Sequence, residues 1–172
     1  ERLRLEKKRI ADLKLKEKLE VVTSKVELFR CDLLKYELIS ELVSSFNKEF
    51  GGIDVLINNA GAHFGYKHFN ELDEKYWDKT FNLNTKAPFY LSSYAFQHMK
   101  FHGGGKIINI SSASVRYGSS SKGIHYTASK AALDSMTKSF SCSGYDFNIL
   151  VNSIRCGVID TDMHTKIEGY TE

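Results

Sequence analysis

Short apolar runs alternate along this chain with helical stretches of ten or more residues, and that alternation leaves few architectures open. Val26-Glu-Leu-Phe-Arg30 alternates polar and apolar residues like a strand and runs into Cys31-Asp32-Leu33. Residues 35–50 carry Leu38, Ile39, Leu42, Val43, Phe46 and Phe50 at helical spacing, and Gly51-Gly52 supplies a stop. Ile53-Asp-Val-Leu-Ile57 and Lys106-Ile-Ile-Asn-Ile110 read as buried strands. Residues 71–101 between them read as helix with a break, Pro88 lying inside. A helix from about His125 to Phe140 precedes a last strand at Asn148–Ile154. Residues 1–20 read as a charged helix with Leu3, Ile10 and Leu13 on one side. Strands separated by whole helices cannot close as hairpins, so the pattern predicts βαβ units and a parallel sheet. No repeat or linker divides residues 1–172, which read as a single domain.

Ligands of such sheets bind beyond the carboxyl ends of the strands. Four polar clusters fall at those ends: Asp32, Asn58–Gly61, Ser111–Ser112 and Gly157–Thr161. One further pair stands out. Tyr126 and Lys130 are four residues apart in His125-Tyr-Thr-Ala-Ser-Lys130, so on a helix they share a face. An ammonium there can lower the pKa of a phenol from about 10, and a phenol so tuned can exchange a proton near neutral pH. A serine hydroxyl at the neighbouring strand end can hold a substrate oxygen. Alone, Tyr126 and Lys130 would be an ordinary exposed pair; the surrounding clusters favour chemistry.

The whole series, in this order, resembles the short-chain dehydrogenase/reductase family. The family's Tyr-x-x-x-Lys is matched by Tyr126 and Lys130, its strand-end Asn-Asn-Ala-Gly by Asn58–Gly61, and its catalytic serine by Ser112 in preference to Ser111. Its catalytic Asn is matched by Asn84 in Asn84-Thr-Lys-Ala-Pro-Phe89, and the Asp that touches adenine by Asp32. The resemblance implies a Rossmann-like, doubly wound, three-layer α/β fold and an enzyme using NAD or NADP on a small carbonyl or alcohol substrate. It implies Ser112, Tyr126, Lys130 and Asn84 as catalytic residues, Asn84 holding a water in a proton relay. Asp32, Leu33, Asn59, Ala60, Gly61, Tyr126, Lys130, Gly157, Val158 and Thr161 would contact the cofactor. It further implies a homodimer or homotetramer, for which Phe89, Tyr90, Leu91, Tyr94, Phe96 and Met136 could serve as interface or equally as core.

Two departures from the family pattern carry consequences. No glycine precedes Gly51, so the Gly-rich turn that holds pyrophosphate is absent, with the first strand, its helix and the second strand. In the family's sheet those strands lie between 26–30 and 53–57. An N-terminal segment beyond this sequence is therefore expected; alternatively 26–30 pairs directly with 53–57. The substrate lobe also reads as cut short near Glu172. The second departure is Cys156, where the family usually has Pro before Gly157.

Other signals are weaker. His98 and His102 have a spacing that can hold a metal, but no third ligand is recognisable and exposed histidines fit better. The basic residues Arg2, Arg4, Lys7, Lys8 and Arg9 are interleaved with acids, and a net charge of +3 demands no nucleic-acid partner. The 3 cysteines form no CxxC, which suggests reduced thiols and a cytoplasmic protein, and no apolar run reaches a membrane span's length. Tyr117, Ile124 and His125 are expected to flank the pocket. A non-catalytic nucleotide-sensing or scaffold protein on the same fold is the competing reading.

Overall fold

A computed structural model describes residues 12, 14, 25–161 and 163. Apart from residues 12 and 14, the helix predicted over 1–20 lies outside them, as do Arg2, Arg4, Lys7, Lys8 and Arg9. Residues Glu1–Cys31 form one compact unit and Asp32–Glu172 another. Within the first, residues 25–30 hold no strand, which corrects the expectation for Val26–Arg30. Period-two patterning marks an extended backbone and says nothing about a ladder partner. Among the described residues the sheet consists of three strands, all from the second unit.

In that unit a turn at Asp32–Lys35 and a short 3₁₀ segment lead into α1 (Ile39–Phe50), which ends on Gly51 in the left-handed conformation. Strand β1 (Val55–Asn58) follows, then α2 (Glu74–Phe81), capped by the Asp73 carboxylate on the Tyr76 N–H at 3.0 Å. A π-helical turn at Asn82–Lys86 joins α2 to α3 (Ala87–Phe101). This turn is the break foreseen near Pro88. A proline cannot donate to the carbonyl four residues back. The turn widens instead, and Ala87 N–H bonds the Asn82 carbonyl five residues back. Strand β2 (Gly105–Ser112), a short helix α4 (Ser114–Tyr117), the long α5 (Ile124–Gly144) and β3 (Ile149–Cys156) complete the described residues.

The strands are parallel in the order β1-β2-β3, with Ile57 opposite Ile108 and Ser112 opposite Cys156. The fold is thus a parallel α/β sheet of the expected kind. Alternate residues Ile107, Ile149 and Val151 bury against Ile39, Val43, Ala87, Ala95 and Met99 of α1 and α3. A polar seam runs beside this core. Asn58 Nδ2 donates to Ser92 Oγ at 3.0 Å and to Asn109 Oδ1 at 2.8 Å, and Asn109 Nδ2 donates to Thr137 Oγ1 at 2.8 Å. Asn58 therefore belongs to the packed interior, tying β1 to α3, while the sheet face bearing Val55, Ile57, Leu150 and Ile154 is exposed among the described residues. The aromatic stretch of α3 divides: Phe96 is core, Tyr90 and Leu91 pack against it, and Phe89 and Tyr94 are exposed.

Candidate active site

Parallel strands deliver every chain crossing to the same edge. Beyond the carboxyl ends of β1, β2 and β3 the structure opens a cavity of about 1010 Å³. The turn after β1 contributes Asn59 and Gly61. The end of β2 contributes Ser111 and Ser112, and the segment after β3 contributes Cys156, Gly157, Val158 and Thr161. The first turns of α5 present Tyr126 and Lys130 to the same space.

Lys130 is 4% exposed, and its Nζ donates to the Ile110 carbonyl at 2.7 Å. Burial pulls its ammonium from an ordinary 10.5 to about 8, against smaller upward pushes from Cys156 and Asp134. Burial also raises the Tyr126 phenol above its ordinary 10.0; a hydrogen bond with the Ser112 hydroxyl opposes the rise and Cys156 adds to it. The expected lowering of the phenol pKa by Lys130 is therefore not what this geometry gives. Nζ lies 5.9 Å from the ring centroid and is committed to Ile110, so desolvation of the phenol prevails.

Of the two serines, Ser112 is the one whose hydroxyl pulls on the Tyr126 phenol pKa, and its Oγ accepts from Ser114 N–H at 3.2 Å and Ser114 Oγ at 3.0 Å. The Ser111 hydroxyl points to the Lys130 carbonyl at 3.5 Å and is 3% exposed. Asn84 is fully buried and off the cavity wall. Its Oδ1 accepts from Ala62 N–H at 2.9 Å, and its Nδ2 donates to the Ala62 carbonyl at 2.9 Å and to Ser129 Oγ at 3.0 Å. Its side chain is thus a clasp between the turn after β1 and α5. The π-helical turn aims it there. Gly61 sits inside this clasp: a Cβ would lie 3.0 Å from Lys130 Nζ and 3.2 Å from Asn84 Oδ1.

Three predicted cofactor residues stand apart from the cavity lining. Asp32 is a turn residue whose carboxylate accepts from Leu34 N–H at 3.1 Å, Leu33 packs against the hydrophobic core, and Ala60 does not line the space. Tyr117 does line it, but Ile124 and His125 do not. His125 is fully buried, its Nε2 bonded to the Phe64 carbonyl at 2.6 Å. Sequence reasoning missed His63 and Tyr66, which line the cavity from the segment after Gly61. The signal available was their position just past a strand end. His98 and His102 stack at 3.8 Å between ring centroids, and no group of three metal-ligating side chains occurs among the described residues. Nor is any described helix long and apolar enough to cross a membrane.

A parallel α/β sheet with serine, tyrosine and lysine at its carboxyl edge defines a class, and comparison with known proteins names it. Residues 5–170 match the model of the short chain dehydrogenase family, and the chain belongs to that family. It is 31% identical over 141 residues to the hydroxynaphthalene reductase-like protein Arp2 of Metarhizium guizhouense, covering 82% of this chain and 52% of that protein. It is 38% identical over 122 residues to an uncharacterized oxidoreductase of Thermotoga maritima, covering 71% and 48%. Among solved structures, the NADH-dependent reductase A1-R' complexed with NAD superposes with a TM-score of 0.72 at 28% identity, covering 79% of this chain and 58% of that one. The chain spans about half the length of the curated relatives it matches.

Proposed function

We propose that this chain carries the reaction half of an NAD(P)-dependent oxidoreductase that interconverts a small carbonyl compound and its alcohol. The observation that carries the reading is that Ser112, Tyr126 and Lys130 line one cavity, with Lys130 Nζ held by the Ile110 carbonyl. The wall also fits a nicotinamide riboside. Asn59 and Gly61 line the cavity, a Cβ at Gly61 would press on Lys130 Nζ and Asn84 Oδ1, and Gly157, Val158 and Thr161 line the same space. When bound, the nicotinamide supplies or takes the hydride.

The chain's own residues handle the oxygen. Ser112 Oγ–H donates to the substrate oxygen and orients it toward Tyr126. Tyr126, like any phenol of ordinary pKa, is protonated at neutral pH, and burial pushes its pKa further up, so it transfers its phenolic proton to that oxygen as the carbonyl carbon gains the hydride. In the reverse direction the phenolate takes the proton from the alcohol. Lys130 holds the nicotinamide ribose with the donors not given to Ile110. The names of the relatives, reductases among them, support the reductive direction.

Tyr126→Phe is the test. General acid catalysis contributes about 10²–10⁴-fold, so turnover of a ketone panel with NADH and NADPH should drop by that factor. The circular dichroism spectrum should be unchanged. A folded Tyr126→Phe protein that retains full activity refutes the assignment.

A further inference from the structure

We infer that His63 is a positioning residue for Tyr126, an inference that rests on Tyr126 being the proton donor. His63 is half-buried on the cavity wall, two residues past Gly61. Its imidazole lies against the Tyr126 ring, with centroids 5.3 Å apart and planes 26° from parallel. The imidazole is itself fixed from two further sides. The His125 ring meets it edge-on at 4.9 Å and the Tyr66 ring at 5.5 Å. The segment that carries it is bound to α5 through His125, whose Nε2 must donate, since its partner is the Phe64 carbonyl at 2.6 Å. A flat group held this firmly limits where the phenol can swing.

That limit matters for the chemistry. A tyrosine side chain turns about two torsions, and a modest rotation about the first carries the hydroxyl away from Ser112. Proton transfer requires heavy atoms within about 3.2 Å of each other. The backbone of Tyr126 is held by α5 at one end and its hydroxyl feels Ser112 at the other, while Lys130 Nζ lies 5.9 Å from the ring centroid. Between those ends, His63 supplies a flat partner for the ring. Offset stacks of this kind contribute modestly beyond the area they bury. The expected loss without it is a fall of about three- to tenfold in kcat.

The test uses two variants of similar bulk in the intact protein. His63→Phe keeps a flat ring; His63→Leu fills the space without one. The inference expects kcat for a ketone to fall about three- to tenfold in His63→Leu and to return within about twofold of wild type in His63→Phe. The KM for the nicotinamide and the melting temperature should be unchanged in both. Wild-type kcat in His63→Leu overturns it, because the ring face then does nothing. Equal losses in His63→Leu and His63→Phe also overturn it, because the imidazole nitrogens then matter and the stack does not. Tyr126→Phe, run alongside, separates this inference from the reading beneath it. Full activity in Tyr126→Phe refutes the proton-donor assignment, whereas an inactive Tyr126→Phe beside a fully active His63→Leu refutes only the role of His63.

Discussion

Replacing Lys130 by Met should remove activity and flatten the alkaline stability profile of the protein. Lys130 is 4% exposed, and its pKa falls from 10.5 to about 8 on folding. That gap of about 2.5 units, at 1.36 kcal/mol per unit, corresponds to about 3 kcal/mol. The sign follows from proton counting. Between pH 8 and 10.5 the unfolded chain binds the proton and the folded chain has released it, so wild-type stability rises with pH across that window. Below about pH 8 both states are protonated and the folded state bears the whole cost of a buried ammonium. Methionine has nearly the same length and no proton to lose. It also forfeits the bond to the Ile110 carbonyl, which offsets the gain at neutral pH by about 1–3 kcal/mol. Net stabilisation of Lys130→Met at pH 7 is therefore small. The discriminating quantity is the difference in slope, up to about 1.4 kcal/mol per pH unit near pH 9. Urea unfolding of both proteins from pH 7 to 10.5 measures it, and subtracting one curve from the other cancels the titration of exposed groups. Parallel curves would refute the claim that folding desolvates this amine.

Asn84→Ala should destabilise the protein by about 2–4 kcal/mol in urea unfolding, since it strands the Ala62 amide and carbonyl beside Ser129. Activity should fall with stability as the turn at Gly61 loosens; an unchanged midpoint would show that water replaces the clasp. His125 has its pKa lowered by burial, with the Phe64 hydrogen bond opposing. Its folded value lies below the unfolded one, so it contributes stability above pH 6.5 that is lost on acidification. His125→Phe should lack that part of the acid sensitivity, as thermal melts from pH 7 to 5 would reveal.

Elements with strong periodicity were legible in the sequence. The apolar face of 35–50 and the Gly51 stop were sufficient for α1, because packing and capping there rest on neighbours in the chain. The strands at 105–112 and 149–156 were legible as short apolar runs, though each extends two residues further than its composition marks. Those extra residues, Ser111–Ser112 and Arg155–Cys156, are polar or charged apart from the thiol. They are held in the ladder by pairing with one another, which no local pattern records. Val26–Arg30 shows the converse: alternation alone does not make a strand. At the site, Tyr126 and Lys130 were found by spacing, and Ser112 by the family resemblance. His63 was not, because its role depends on a ring that arrives from another element 63 residues further along.

The order in which the site gives up protons bears on the direction in which it can work. In free solution a lysine ammonium and a phenol titrate within about half a unit of each other. Here burial moves them apart: the amine down to about 8 and the phenol up from 10.0. Of the two, the ammonium is thus the first to lose its proton as the pH rises and the phenol the second. A group in that state is suited to protonating an oxygen that gains negative charge as a carbonyl is reduced. Taking a proton from an alcohol demands the reverse, a phenolate in a desolvated position. No described carboxylate lines this cavity, so an arriving cation would meet no neutralising charge there and could stabilise that phenolate directly. On the reading proposed above, the raised phenol pKa favours giving a proton to a carbonyl oxygen, and the Lys130 ammonium, still charged below about pH 8, is the cation at hand for the reverse step.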